Sequence, residues 1–174
     1  MISVLGVTCA LCLDLLRQGV LTRGGITKGL LYHSSNIAFG PALIEAYRLE
    51  SEVAVYPRVV LDPTLTKSIV DNQDRTCLCF CWPDPDDLLR LHYLTNFVAW
   101  SVAAYENESM GSDLSFVDVR QQVRDALMFQ MRQSYSTRVL QKINWLVSYY
   151  NETWGGEGKS EIRFNHERSE EGAS

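Results

Sequence analysis

The chain has 174 residues, 46% of them hydrophobic, enough for one domain with a sizeable core and too few for two. Sixteen Lys and Arg against 21 Asp and Glu leave a formal net charge of −5, which excludes the broad basic field that non-specific binding to nucleic acid or an anionic membrane requires. Five cysteines, an odd number gathered in two apolar segments, argue against a disulfide framework and point to a reducing, cytoplasmic setting.

The opening MISVLGVTCALCLDLL has no positively charged leader, its apolar run stops at Asp14, and it is too short to span a bilayer. Val4, Val7, Leu11, Leu15 and Leu16 recur at helical spacing, and Gly19 follows Gln18 where a C-cap glycine belongs. A buried helix from about Ser3 to Gln18 is expected. VLTRGGITKGLLYH then reads as a strand in which Gly24 and Gly25 mark a bulge or a close approach by another backbone or a ligand.

HSSN is turn-like, and Pro41 after Gly40 suits the first turn of a helix. Ala42, Leu43, Ala46, Tyr47 and Leu49 form the expected buried side of that helix, with Glu45, Arg48, Glu50 and Glu52 as its polar positions. YPRVVLD is a short strand, LTKSIV one or two helical turns, and TCLCFCW a strand ended by Pro83 and Pro85. LLRLHYL is strand or helix, with strand preferred. From Phe116 to Trp154 the pattern is helical, interrupted near SYS, with Ser136 as N-cap. Residues 1–154 are therefore one unit, and residues 155–174, glycine-rich and charged without an apolar period, form an expected disordered tail.

Within this order, GPALIEAYRLE resembles the helix of class III nucleotidyl cyclases, which reads glycine, a few residues, Asn, then Ala, a variable residue, Arg, Leu, Glu. RGGITKG is similar to the strand that precedes it in that family, Arg, any residue, Gly, Ile, two residues, Gly, and YPRVVLD continues as the next strand would. The match covers roughly Arg23 to Glu50, and with the C-terminal VLQKINWLVSYYNETW the ensemble looks closest to bacterial pyrimidine cyclases of anti-phage defence.

The resemblance implies an α+β chain with part of the ferredoxin-like cyclase fold, an antiparallel-rich sheet and long C-terminal helices. It implies a reaction in which the 3′-oxygen of a nucleoside triphosphate closes onto the α-phosphate and releases pyrophosphate. Arg48 matches the arginine that steadies the charge building on the phosphoryl oxygens, and Arg23, Gly40 and Asn36 are the implied substrate-binding positions. Ile44 stands where the family commonly has its ribose-orienting Asn, and the base-reading position falls at Ile37, or at Asn36 after a one-residue shift.

The family uses Mg²⁺ or Mn²⁺ held by two carboxylates on strands that precede the first helix of this chain, so no metal ligands are assigned here. The chain is expected to begin midway through the domain and to act, in a homo- or heterodimer, with a partner that supplies the metal half. The alternatives are a non-catalytic interaction module that keeps the fold, or an incomplete product.

The residues themselves leave plainer readings open. Arg48 has Glu45 and Glu52 at helical pairing distance, and Arg23 reads equally as a solvated edge charge. Cys9, Cys12, Cys77, Cys79 and Cys81 read as small core residues in preference to a zinc site, the last three on one strand face. Asp84, Asp86 and Asp87 read as a solvated turn and Asp62 as a strand-end cap. His33, His92 and His166 have no catalytic spacing, and Trp145, Tyr149 and Tyr150 read as packing.

Overall fold

A computed structural model describes residues 2–133, 136–155 and 162. The first helix, α1 (Ile2–Arg17), ends where expected: Gly19 takes a left-handed φ of 79° and its N–H bonds the Leu16 carbonyl at 2.9 Å. Its inward side departs from the expected stripe, which it shares only at Leu16 and in part at Leu15. Leu5, Cys9, Cys12, Leu13 and Leu16 are buried, whereas Val4, Val7 and Leu11 are 57%, 68% and 55% exposed. The helix is apolar nearly all round, so periodicity alone could not choose which side faces inward.

The strand expected over Val20–His33 is two short ones: β1 (Gly24–Ile26) and β2 (Tyr32–Ser34), the latter closing a two-residue hairpin through Ser35 and Asn36 onto β3 (Ile37–Phe39). Gly40, at φ 146°, admits α2 (Pro41–Arg48), which runs into a π-helical turn over Leu49–Val53. A side chain at Gly40 would meet the Leu30 carbonyl at 2.6 Å, so only glycine fits that entry.

The chain continues as β4 (Val59–Leu61), α3 (Pro63–Asp71), α4 (Arg75–Leu78), β5 (Cys81–Pro83) and β6 (Leu89–Leu91). Three helices complete it: α5 (Asn96–Met110), α6 (Phe116–Arg132) and α7 (Thr137–Tyr150). Two sequence expectations fail here. TCLCFCW is not one strand: Thr76-Cys77-Leu78 belong to helix α4, which the Asp74 side chain caps by accepting the Cys77 N–H at 3.0 Å, Cys79 and Phe80 turn, and only Cys81-Trp82 extend, with Pro83, as β5. Helix α5 has no counterpart among the expected elements; Thr95 caps its start and Gly111 its end, but it too carries apolar residues on every side.

The result is an α+β fold. Its main sheet runs β1-β4-β6-β5, with β1 parallel to β4 and the other pairs antiparallel, beside the β2–β3 hairpin. One core joins α1, α5, α6 and α7 to the sheet, and Arg17 braces the helices from within, reaching Glu106 at 2.5 Å and Gln122 at 2.6 Å. Beyond Trp154, Ile162 is 1% exposed and both its backbone N–H and C=O bond the Asn151 side chain, each at 2.8 Å. That residue departs from the expected unpacked tail; residues 156–161 and 163–174, with His166, lie outside the described residues. Among the described residues no helix is long and apolar enough to cross a membrane.

Of the two readings open for the glycine pair, close approach is the one observed. A Cβ at Gly25 would overlap the Leu49 side chain and lie 2.7 Å from the Ala46 carbonyl, whereas at Gly24 the nearest atom is a Val59 methyl at 3.6 Å. Gly25→Ala is expected to cost about 1–3 kcal/mol of folding stability and Gly24→Ala to stay within about 1 kcal/mol, as measured by urea unfolding of the two variants.

Candidate functional site

Arg48 closes the last turn of α2 with its side chain 44% exposed. Both arms of its fork are taken by Glu45, Nε at 3.0 Å and Nη2 at 2.6 Å, and Glu52 approaches Nη1 at 3.8 Å. These are the i,i+3 and i,i+4 partners open from the sequence. The hydrogen bond to Arg48 holds the Glu45 carboxyl below its ordinary range, while the nearby Asp62 carboxylate works against it. Three carboxylates, Glu45, Glu52 and Asp62, therefore act on one guanidinium, leaving the locality negative.

Asp62 is not an outlying charge but the N-cap of α3, accepting the N–H of Thr64 at 2.7 Å and of Leu65 at 3.2 Å as well as the Thr64 hydroxyl. Burial opposes its ionisation, yet these bonds outweigh it and keep its carboxyl below the usual range. Arg23, just before β1, pairs with Glu50 at 2.5 Å. Arg23 and Arg48 thus both engage carboxylates of the α2–π-turn helix.

Gly40 and Asn36 sit elsewhere. Gly40 is at the opposite end of α2 from Arg48, about 12 Å away by helical rise, and Asn36 is at the exposed tip of the hairpin. Ile37 and Ile44 are 58% and 70% exposed. The four expected site residues frame α2 without converging. Hairpin and helix together bound an open apolar groove of about 330 Å³ lined by Leu30, Leu31, Tyr32, Phe39, Gly40 and Pro41, with the Tyr32 and Phe39 rings 4.9 Å apart.

A buried ionic cluster lies where the sequence suggests a solvated turn. Asp84, expected in a solvated turn, is 8% exposed; it accepts from Arg58 Nη1 and, at 2.5 Å, from Arg90 Nε. Asp86 bonds Arg58 Nη2 at 2.6 Å, and that guanidinium holds its carboxyl low. Arg90 lies over the Tyr149 ring at 4.0 Å. The only sequence signal was an arginine inside each of two apolar strand segments, PRVVL and LLRLHYL, where an unpaired charge is prohibitively costly. With both charges neutralised internally, this cluster is structural.

Beside it, His92 Nδ1 meets the Tyr149 hydroxyl at 2.8 Å. That hydroxyl also accepts the Leu94 N–H at 3.2 Å. Burial, then Arg90, lowers the His92 pKa to about 4. The cysteines are free, and burial raises Cys9, Cys12, Cys77 and Cys81, the last to about 12, so these four are unreactive thiols. Cys77 is buried, Cys81 half-buried and Cys79 exposed, not one face of a strand. Among the described residues no group of three metal-ligating side chains is assembled.

Comparison of the chain with known family models, curated proteins and solved structures finds no match.

Two outcomes test the buried network. Asp84→Ala should destabilise the fold by about 3–5 kcal/mol in urea unfolding, because Arg58 and Arg90 lose their shared counter-charge. For His92 the folded pKa lies below the unfolded value near 6.5, so the unfolded chain takes up the proton first. Stability should fall as pH drops from about 6.5 to about 4, and His92→Gln should show a smaller fall over the same range in parallel urea titrations.

Proposed function

We propose that the chain is part of a class III nucleotidyl cyclase-like protein, contributing the arginine half of a composite site that converts a nucleoside triphosphate to a 3′,5′-cyclic nucleotide and pyrophosphate. The reading is supported by the unit β1–hairpin–α2–β4: a glycine strand lies against the arginine helix so closely that Gly25 has no room for a side chain, and the helix carries Arg48 exposed at its end. Arg48 is the proposed transition-state donor. Arg23, Gly40 and Asn36 are the proposed substrate contacts, with Mg²⁺ or Mn²⁺ held by a dimer partner.

The negative surroundings of Arg48 fit that division of labour. A triphosphate arriving without cations meets Glu45, Glu52 and Asp62 as well as Arg48, and the guanidinium fork must leave Glu45 to reach a phosphoryl oxygen. A partner that brings divalent metal offsets that repulsion. The chain by itself is then inactive.

A second reading, a non-catalytic module, draws on the apolar groove beside the hairpin and on Ile44, which presents no hydrogen-bonding group at a 70% exposed position. In that case Arg48 keeps only its helix-stabilising pair with Glu45.

Incubated alone with each nucleoside triphosphate and Mg²⁺ or Mn²⁺, the chain should yield no cyclic product. Mixed with a cyclase domain that has its metal carboxylates but an Ala in place of its own transition-state arginine, it should restore turnover, and Arg48→Ala should cut that turnover by about 10²–10³-fold. Activity of the isolated chain, or restored activity indifferent to Arg48→Ala, rejects the assignment. Failure to restore any activity favours the non-catalytic module.

A further inference from the structure

The two outer strands of the main sheet are β1 and β5, and they are finished differently. β5 ends on Pro83, followed by Asp84 and Pro85; proline has no N–H to offer a neighbour, so that edge is protected. β1 reads Gly24-Gly25-Ile26, without proline or charge. Its three residues are half-buried where those of β4 are fully buried.

Gly24 donates its N–H to the Arg58 carbonyl at 3.1 Å and the Ile26 carbonyl accepts the Asp62 N–H at 2.8 Å, so these two residues face β4. In a parallel pair the next residue turns its N–H and C=O the other way, which aims Gly25, flanked by Arg23 and Thr27, at the open side. Among the described residues no strand lies there.

We propose that this edge is taken by β1 of a second copy, antiparallel, joining the two main sheets into one. Pairing centred on Gly25 sets each Gly25 opposite its mate, where the two exchange N–H···O=C bonds, and sets Arg23 opposite Thr27. On one face Gly24 then meets Ile26 of the other copy, whose side chain enters the space left by the missing Cβ. On the other face Arg23 is already neutralised by Glu50, so no two unpaired cations are brought together. A two-fold contact uses each β1 edge once, and the proline-protected β5 edges prevent growth into a filament. This self-complementarity favours a second copy over an unrelated strand, and the inference stands independently of the cyclase reading.

Light scattering or sedimentation of the full chain across micromolar to submillimolar concentrations should show a monomer–dimer equilibrium. Hydrogen exchange in the Arg23–Thr27 segment should slow as concentration rises. Thr27→Pro removes a donor on the open side and should weaken dimerisation at least about tenfold, a shift of about 1.4 kcal/mol. Thr27→Lys, which places on the joining edge the charged side chain that edge strands use to block pairing, should do the same and serves if the proline variant does not fold. A monomer throughout, or a dimer unaffected by a folded Thr27 variant, overturns the proposal. So does a dimer broken by Phe39→Glu alone, which would place the contact on the hairpin groove.

Discussion

The contact between Gly25 and the backbone of α2 is the constraint on which the arrangement rests. Because Gly25 lacks a side chain, the Ala46 carbonyl and Leu49 can lie directly against β1, and Leu49, at 1% exposure, joins Val60 and Ala54 in a small core of their own. That core is separate from the main one. The helix is therefore positioned by few residues, so small changes at Gly25 or Leu49 act directly on the direction in which Arg48 projects. Sterics, more than hydrophobic area, fix this part of the molecule.

On the far side of β4 the sheet is held by charge. Asp84 sits between Arg58 and Arg90 and so connects the approach to β4 with β6, while Arg90 stacks on Tyr149 of α7. Burying three charges costs more than an apolar cluster of the same size unless each is paired, and the pairing is incomplete: Arg58 Nε and Arg90 Nη1 are buried without hydrogen-bond partners among the described residues. The Tyr149 ring face partly offsets this for Arg90. What such a network contributes is directional: an aspartate between two guanidiniums admits one register of β4 on β6, where three-residue strands of Val and Leu alone would slip.

Much of this architecture was readable from sequence because local chemistry decided it. Gly19 as a C-cap, Pro41 opening α2 and Val59–Leu61 as strand all follow from residues acting on their own neighbours. What was not readable depended on partners distant in the chain. The inward side of α1 and the existence of α5 were hidden because both helices are apolar all round, and only the rest of the fold selects a face. Asp84 looked solvated because Arg58 and Arg90, 26 and 6 residues away, gave no local sign of converging on it. At the expected site the pairing was itself local: Glu45 and Glu52 stand at helical spacing from Arg48, and Glu45 takes both arms of its fork.

The hairpin and α2 differ in how firmly they are held, and this bears on any ligand that must touch both. Strands β2 and β3 are three residues each with five of the six exposed, and an isolated two-stranded ribbon is marginal in water. Its fixed points lie at the base, where the Ala42 N–H bonds the Leu30 carbonyl at 3.2 Å and Gly40 leaves no room for a side chain. Asn36, at the tip, is thus on the least supported element, whereas Arg48 is on a helix pressed against the sheet. If one phosphate-bearing ligand is to meet both, the ordering cost falls mainly on the hairpin. On the proposed reading, a partner surface that packs the apolar groove between hairpin and helix would meet that cost before the ligand arrives, and assembly, more than the arginine alone, would then control whether the site forms.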